Sequence, residues 1–241
     1  MDAKITKQAV RVCTRVTAQS AEQPVDAVFT LPDACSDLKR LLRCRVRPCV
    51  TAKQIRGDRL SVEGETAISL CYVDREGGLR GCEQVEPFSR EFELPRTVAE
   101  GRAEVTVRAT GLSYKAVSER RVDAHFTLAL TAQVTACEPT EIVTDIDDPA
   151  VRHQRGSHPC SALVGGDEKV LLVSDEMALP DDADSIRSIL RAEPRVTISD
   201  VRTVGGKAVV KGDLLIKLLY VGEESGAPTS AAERLPFSQV F

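Results

Sequence analysis

The sequence lacks several features that would place it in common functional classes. It has no tryptophan, and only 4% of its 241 residues are aromatic. Its longest uncharged stretch, Ala124–Cys137, is broken up by threonine, glutamine and histidine and falls short of the roughly 20 apolar residues of a membrane-spanning helix. The formal net charge of −4 argues against a general nucleic-acid binder, which would carry an excess of basic residues. We therefore expect no nucleic-acid partner and no membrane insertion.

Signatures of export and of catalysis are also missing. The first residues, Met1–Lys7, contain no apolar segment of a signal peptide, which predicts a protein kept in the cytosol. The chain has no Gly-x-Ser-x-Gly, no His-Glu-x-x-His and no phosphate-binding Gly-Lys-Ser/Thr motif. We expect a protein that is not an enzyme and needs no cofactor. Acidic pairs such as Asp147-Asp148 leave a hydrolase as a third, less favoured class, because the pairing of catalytic carboxylates is spatial.

What the sequence does contain is an internal repeat. Leu31-Pro32-Asp33 recurs as Leu179-Pro180-Asp181, 148 positions further on, and later matches keep this offset until a one-residue shift near the end. Internal repetition of this kind sets the domain plan before any secondary structure is considered. The further matching pairs are Leu42-Arg43 with Leu190-Arg191, Val62-x-Gly64 with Val210-x-Gly212, Ile68-x-Leu70-x-Tyr72-Val73 with Ile216-x-Leu218-x-Tyr220-Val221, and Pro87-Phe88-Ser89 with Pro236-Phe237-Ser238.

Within each copy the apolar residues mostly follow the two-residue period of β-strands. Tyr72 and Tyr220 end such patterns and are predicted to face the core. Gly77-Gly78 and Gly205-Gly206 are placed for tight hairpins between strands. The strands predicted outside these patterns are Asp26–Leu31, Arg45–Arg56, Glu83–Leu94, Ala103–Leu112 and Val122–Cys137.

One short helix is predicted in each copy. Leu38, Leu41 and Leu42 share a helical face after Ser36, and Ile186, Ile189 and Leu190 repeat the spacing. The predicted fold class is therefore mainly β, with tandem antiparallel modules that each form a sandwich or partly open barrel and carry one short helix.

The ordered motifs resemble a known family. Val62-Glu63-Gly64-Glu65 followed by Ile68-x-Leu70-x-Tyr72-Val73, and later by Pro87-Phe88-Ser89, is similar to the SPOCS domain, the repeated module of spore-coat and cortex morphogenetic proteins of endospore-forming bacteria. This resemblance implies a non-catalytic assembly protein of the endospore coat that acts through protein–protein contacts. It also implies synthesis in the mother-cell cytoplasm, later localisation to the spore coat or forespore surface, and other coat or spore-surface proteins as partners.

The repeat gives the predicted domain boundaries. Residues 1–146 form a first SPOCS-like module, residues 147–165 a linker, and residues 166–241 a second module that is incomplete at its C-terminal side. Truncation of a longer chain is the simpler explanation of this incompleteness. The alternative is self-association through the incomplete second module, because unpaired strand edges recruit further strands.

Two groups of residues are candidates for a metal site and for cross-links, and a third, an arginine strip described below, is the candidate for partner binding. His153, His158 and Cys160 are weak candidates for a metal site, because no second ligand pair of standard spacing accompanies them. Cys49 and Cys82 are candidates for cross-links between chains. Cys71 instead aligns with Leu219, which favours a small buried side chain.

An arginine strip is the candidate for partner binding. Arg43, Arg45 and Arg47 alternate along a predicted strand, with Arg56 nearby, and strand alternation places them outward while Cys44 and Val46 face inward. Solvated surface arginines are the common explanation of such a strip. The functional hypothesis is that it docks an acidic coat partner or the acidic surface of a neighbouring copy.

A carbohydrate- or peptidoglycan-binding β-sandwich of the cell envelope is the alternative function. It is less favoured, because sugar platforms use exposed aromatic side chains and this chain has no tryptophan and few tyrosines.

Overall fold

The fold consists of β-strands. The computed structural model describes residues 4–147, 151–152, 154, 156–157, 166–180 and 183–241, and among them nine strands and no helix are found. None of the described residues belongs to a helix that could cross a membrane. The strands are β1 Lys4–Thr30, β2 Leu38–Arg56, β3 Arg59–Asp74, β4 Leu79–Glu93, β5 Gly101–Ser118, β6 Arg121–Asp147, β7 Ile186–Val204, β8 Lys207–Gly222 and β9 Pro228–Val240.

The strands form three antiparallel sheets of three strands each, in the orders β1-β6-β5, β2-β3-β4 and β7-β8-β9. The first two sheets share one apolar core. Ile68, Leu70 and Tyr72 of β3 are fully buried in it, as is Phe29 of β1 and Leu128 of β6. The mainly β, antiparallel prediction is confirmed, and the first module is a two-sheet sandwich with no closed barrel.

The third sheet reproduces the second in sequence and in pairing. Strands β7, β8 and β9 align with β2, β3 and β4, and both sheets place the middle strand between its two neighbours in sequence. Tyr220 is as fully buried as Tyr72, so both tyrosines are core residues as predicted. Both predicted glycine hairpins are present, with positive φ angles at Gly77, Gly205 and Gly206.

The predicted short helices are wrong. Leu38 begins β2 and Ile186 begins β7. The pairing of β2 with β3 shifts between Leu38 and Arg40 and again between Leu41 and Arg43, and β7 has the same two irregularities. Each shift inserts a residue into the strand, so inward positions recur every three residues and imitate the spacing of a helical face. Tertiary pairing thus overrides a local helical pattern.

Strand β1 is much longer than the predicted segment Asp26–Leu31. It starts at Lys4 and pairs along its whole length with β6, which itself reaches Asp147. The first half of β1 is mostly exposed, so its sequence lacks the apolar alternation from which a strand would be predicted.

The two most recognisable motifs of the repeat meet in space. An added Cβ on Gly64 would lie 2.2 Å from Cζ of Phe88, and one on Gly212 would lie 2.7 Å from Cζ of Phe237. The phenylalanine ring of each Pro-Phe-Ser motif therefore lies over the glycine of each Val-x-Gly motif on the neighbouring strand. Only glycine leaves space for the ring, which explains why both motifs recur together.

The two repeats differ in what covers the repeated sheet, which is β2-β3-β4 in the first repeat and β7-β8-β9 in the second. In the first, sheet β1-β6-β5 lies over the inner face of β2-β3-β4. In the second, the described residues contain no such sheet, and residues 166–180 have no strand assignment. By the repeat offset, Met177 and Leu179 correspond to Phe29 and Leu31, and they are only half-buried where their counterparts are buried. The predicted sandwich is therefore seen in the first module alone.

Candidate functional site

The arginine strip lies where the two repeats touch. Nη1 of Arg45 lies 2.7 Å from Oε1 of Glu193, and Nη1 of Arg47 donates to the carbonyl oxygen of Ala192 at 3.1 Å. Nη2 of Arg47 also pairs with Glu83 on its own sheet at 3.3 Å. Two of the four predicted partner-binding arginines thus contact the second repeat of the same chain.

Arg45 and Glu193 occupy equivalent positions of the two repeats. A charge of opposite sign at the same repeat position lets one copy bind the other. Glu193 also pairs with Arg191, and the hydrogen bonds from Arg45 and Arg191 lower the pKa of Glu193. Side chains at the contact keep about a third of their exposure, so solvent screening keeps the Arg45–Glu193 pair weak.

A glycine permits the close approach of the repeats. An added Cβ on Gly81 of β4 would lie 2.3 Å from the carbonyl oxygen of Ile189 and 2.8 Å from Cα of Leu190, both on β7. The equivalent position of the second repeat is Ser230, so glycine is not required by the module itself. Gly81 is specific to the contact between repeats.

A cleft of about 540 Å³ lies beside this contact. Leu42, Arg43 and Cys82 line it from the first repeat, and Ile189 and Leu219 line it from the second. Arg43 and Arg56 are exposed, and neither makes an ion pair with any of the residues that the structure describes. A partner-binding role of the strip therefore stays a prediction, with Arg43 and Arg56 as the arginines that the second repeat does not use.

A charge-exchange experiment tests the contact between the repeats. Arg45→Glu and Glu193→Arg are each expected to destabilise the second repeat, because each places like charges together, and the double variant is expected to recover the loss. The measurement is a double-mutant cycle on the denaturant unfolding of the full chain, with a favourable coupling expected. The matched control is the Arg59–Glu91 pair within the first module, which spans 3.2 Å and is more exposed. Zero coupling for Arg45 and Glu193 would contradict the contact.

A buried ion pair was not foreseen from the sequence. Asp74, at the end of β3, is fully buried; it accepts a hydrogen bond from Nε of Arg80 and another from the backbone N–H of Gly78, each at 2.7 Å. Burial alone would raise the pKa of Asp74, but the Arg80 and Gly78 hydrogen bonds outweigh it and hold the pKa below its ordinary value. Every partner belongs to the β3–β4 hairpin, so the pair stabilises a turn and has no substrate-facing group.

Arg120 and His125 also have structural partners. Arg120 donates to the carbonyl oxygens of Leu31 and Pro32 and pairs with Asp37 at 2.8 Å, which fixes the connection between β1 and β2. Nδ1 of His125 lies 2.6 Å from Oδ1 of Asp26 on the neighbouring strand. Both contacts join segments of the first module.

Five of the seven cysteines that the structure describes fall into three environments. A disulfide joins Cys13 to Cys137 at paired positions of β1 and β6, which the sequence did not predict. Sγ of Cys35 lies 3.3 Å from Sγ of Cys82, whereas Cys49 is exposed on β2. Burial, followed by the contact with Cys35, raises the pKa of Cys82 to about 12.

Native-state alkylation is expected to separate these thiols. Cys49 should react first at neutral pH, while Cys82 and the buried Cys44, whose pKa is raised by burial to about 11, should react only after unfolding. Mass spectrometry of peptides from partly alkylated protein measures the order.

Cross-linking through Cys49 and Cys82 stays a prediction. Because Cys49 is exposed while Cys82 lies against Cys35, Cys49→Ser should remove oxidant-induced dimers and Cys82→Ser should leave them. The reverse pattern would contradict the assigned environments.

The candidate metal ligands lie outside the described residues. His153, His158 and Cys160 belong to the segments whose structure is not described. Across the described ranges, no three His, Cys, Asp or Glu side chains come together in a way that could hold a metal ion.

These features define a class of protein with tandem β-sheet modules that contact each other through charged strand residues. Residues 185–241, which include β7, β8 and β9, match the family model described as the SPOCS domain of SipL. The resemblance to the SPOCS-domain family is thereby confirmed over the second repeat, and it relates the protein to sporulation. The match covers less than half of the chain. No curated protein and no solved structure gives a significant match.

Proposed function

We propose that this protein is a non-catalytic assembly protein of the bacterial endospore coat. It is made in the mother-cell cytoplasm, reaches the spore coat or forespore surface, and acts through contacts with other coat or spore-surface proteins. The observation that carries the proposal is the SPOCS match over residues 185–241 on a sheet whose first copy lies in the same chain. A repeated module offers several similar surfaces, which suits an assembly role.

The character of the surfaces supports contact over catalysis. Asp74 with Arg80 and Arg120 with Asp37 join parts of the first module, and Arg45 with Glu193 joins the two repeats. The arginine strip combines a contact between repeats with two arginines, Arg43 and Arg56, that can pair with an acidic partner. An arginine fork suits the carboxylates of such a partner better than a lysine would.

The carbohydrate-binding alternative has no comparable support. Of the nine aromatic side chains, all of which are described, Tyr114 is the one exposed. A single exposed tyrosine does not form the stacked platform on which sugar-binding surfaces rely.

Localisation during sporulation tests the proposed function. A fluorescent fusion of the full chain, expressed in an endospore-forming bacterium, is expected to collect at the forespore surface after engulfment and to be absent from vegetative cells when its own promoter is used. A fusion carrying Arg43→Glu and Arg56→Glu is expected to collect less efficiently. The control is Arg90→Glu, a reversal at another arginine of the first module. Diffuse fluorescence of the unaltered fusion throughout the mother cell would overturn the proposal.

A further inference from the structure

The inner face of sheet β7-β8-β9 is an apolar surface over which the described residues place no second sheet, although Tyr220 at one end of the face is buried. Val196, Ile198 and Val201 of β7 expose 62%, 59% and 62% of their surfaces. They lie on the same face as half-exposed side chains of the other two strands, as the register of the sheet shows. These half-exposed residues are Leu214, Ile216 and Leu218 of β8 with Leu235 and Phe237 of β9.

The first repeat serves as an internal reference for this face. There the equivalent residues of β3 are buried, because a three-stranded antiparallel sheet packs over them. Val50, the counterpart of Ile198, is partly buried against that core, and Pro48 and Lys53 stand at the positions of Val196 and Val201. The module is therefore built so that a three-stranded antiparallel sheet packs on this face. Contiguous apolar surface of this extent on a soluble protein marks an interaction site.

We propose that the 241-residue chain forms a homodimer in which the inner face of β7-β8-β9 packs against the same face of a second copy. The second copy supplies its own sheet β7-β8-β9. This is a three-stranded antiparallel sheet, like the one that covers the equivalent face in the first repeat. The result is a sandwich of two identical sheets related by a twofold axis. This dimer goes beyond the proposed coat function and stands independently of it.

The charge of the face permits two identical copies to meet. Among the side chains that the register places on this face, Glu233 is the one charged group, and it lies on the edge strand β9. The opposite face of the same sheet carries Lys211, Asp213 and Lys217. Self-association therefore brings apolar surfaces together and leaves the charged faces in water, so like-charge repulsion does not oppose it.

The area of the face is sufficient for a dimer. The shortest of the three strands has 13 residues. With about 3.3 Å per residue and about 4.8 Å between strands, the face measures on the order of 600 Å² per copy, or about 1,200 Å² in a dimer. This is the lower end of the range for specific, stable interfaces of about 1,200–2,000 Å². We therefore expect a reversible dimer with a dissociation constant in the micromolar range.

Sedimentation velocity of the full chain over a range of concentrations tests the proposal. Reducing agent in the buffer prevents disulfides between chains through the exposed Cys49, so any dimer that is measured is non-covalent. The unaltered chain is expected to shift from monomer to dimer as concentration rises, and Ile198→Lys or Val196→Lys is expected to weaken the dimer by at least tenfold. Both side chains are exposed in the single chain, so these variants should keep the native circular dichroism spectrum.

A matched substitution and a peptide separate the possible outcomes. Val117→Lys changes a valine that is 54% exposed on β5 of the first module, and it is expected to leave the dimer unchanged. A chain that stays monomeric at all concentrations, or a dimer that Ile198→Lys and Val196→Lys do not weaken, would overturn the proposal. A synthetic peptide of residues 101–147, which spans β5 and β6, provides the last arm. If it binds a monomeric chain and Ile198→Lys abolishes that binding, the face takes a β-hairpin and the second copy is not its occupant.

Discussion

Replacing Asp74 with alanine is expected to lower the free energy of unfolding of the first module by about 3–5 kcal/mol. Asp74 is fully buried, and the side chain of Arg80 is only 19% exposed. Removal of one partner of a buried ion pair leaves the other charge without compensation in a region of low dielectric constant. The variant also leaves the backbone N–H of Gly78 without its acceptor. Urea unfolding followed by circular dichroism measures the loss.

The pH dependence distinguishes the ion pair from a packing effect. Because the folded state holds the pKa of Asp74 below its ordinary value of about 4, the stabilisation is fully present above that value. It is lost as the pH falls through the lower pKa of the folded state. Asp74→Asn is therefore expected to flatten the acid limb of the stability curve. An unaltered acid limb in Asp74→Asn would contradict the assigned role.

Replacing Gly64 with valine is expected to destabilise the first module by about 3 kcal/mol, the upper end of the usual cost of overpacking. The new side chain would overlap the ring of Phe88 and the carbonyl oxygen of Cys49, where an added Cβ lies 2.4 Å away. Phe88 is buried under sheet β1-β6-β5 and has little room to move. Thermal unfolding of the full chain measures the effect.

The second repeat provides the matched comparison for Gly64. A valine at Gly212 would contact Phe237 and Thr197, the counterparts of Phe88 and Cys49. Phe237, however, is half-exposed and can move outward. We therefore expect a smaller loss, confined to the second repeat. Glu63→Val, at the exposed position next to Gly64, is expected to change stability little, since valine suits a strand. Equal losses for Gly64→Val and Gly212→Val would show that the two repeats are covered alike.

The repeated motifs allowed much of the fold to be predicted from the sequence. Tyr72 and Tyr220 were correctly placed in the core, because apolar side chains recur at every second position before each of them. The hairpins at Gly77 and Gly205 were also correct, since each turn uses a positive φ that glycine supplies. The predicted helices failed because the bulges at the start of β2 and β7 change the strand period to three. A bulge depends on pairing with a distant strand and has no local signal.

The candidate site was predicted less completely than the fold. Arg45 and Arg47 were singled out by their alternation in a basic stretch, but Glu193 was missed as the partner of Arg45. The signal was available, since the two residues align at the repeat offset with opposite charges. The pairing of Asp74 with Arg80 and the disulfide between Cys13 and Cys137 gave no such signal. They depend on burial and on the register of β1 with β6, which short-range patterns do not determine.

The central claim, that this is an assembly protein of the endospore coat, is most directly tested by fractionation of purified spores. Coat proteins are extracted from spores of a bacterium that expresses the full chain from its own promoter, and the fractions are probed with an antibody to the chain. We predict that the protein is found in the coat extract and is absent from vegetative cells. Its recovery from the vegetative cytoplasm, with none in the coat extract, would contradict the account.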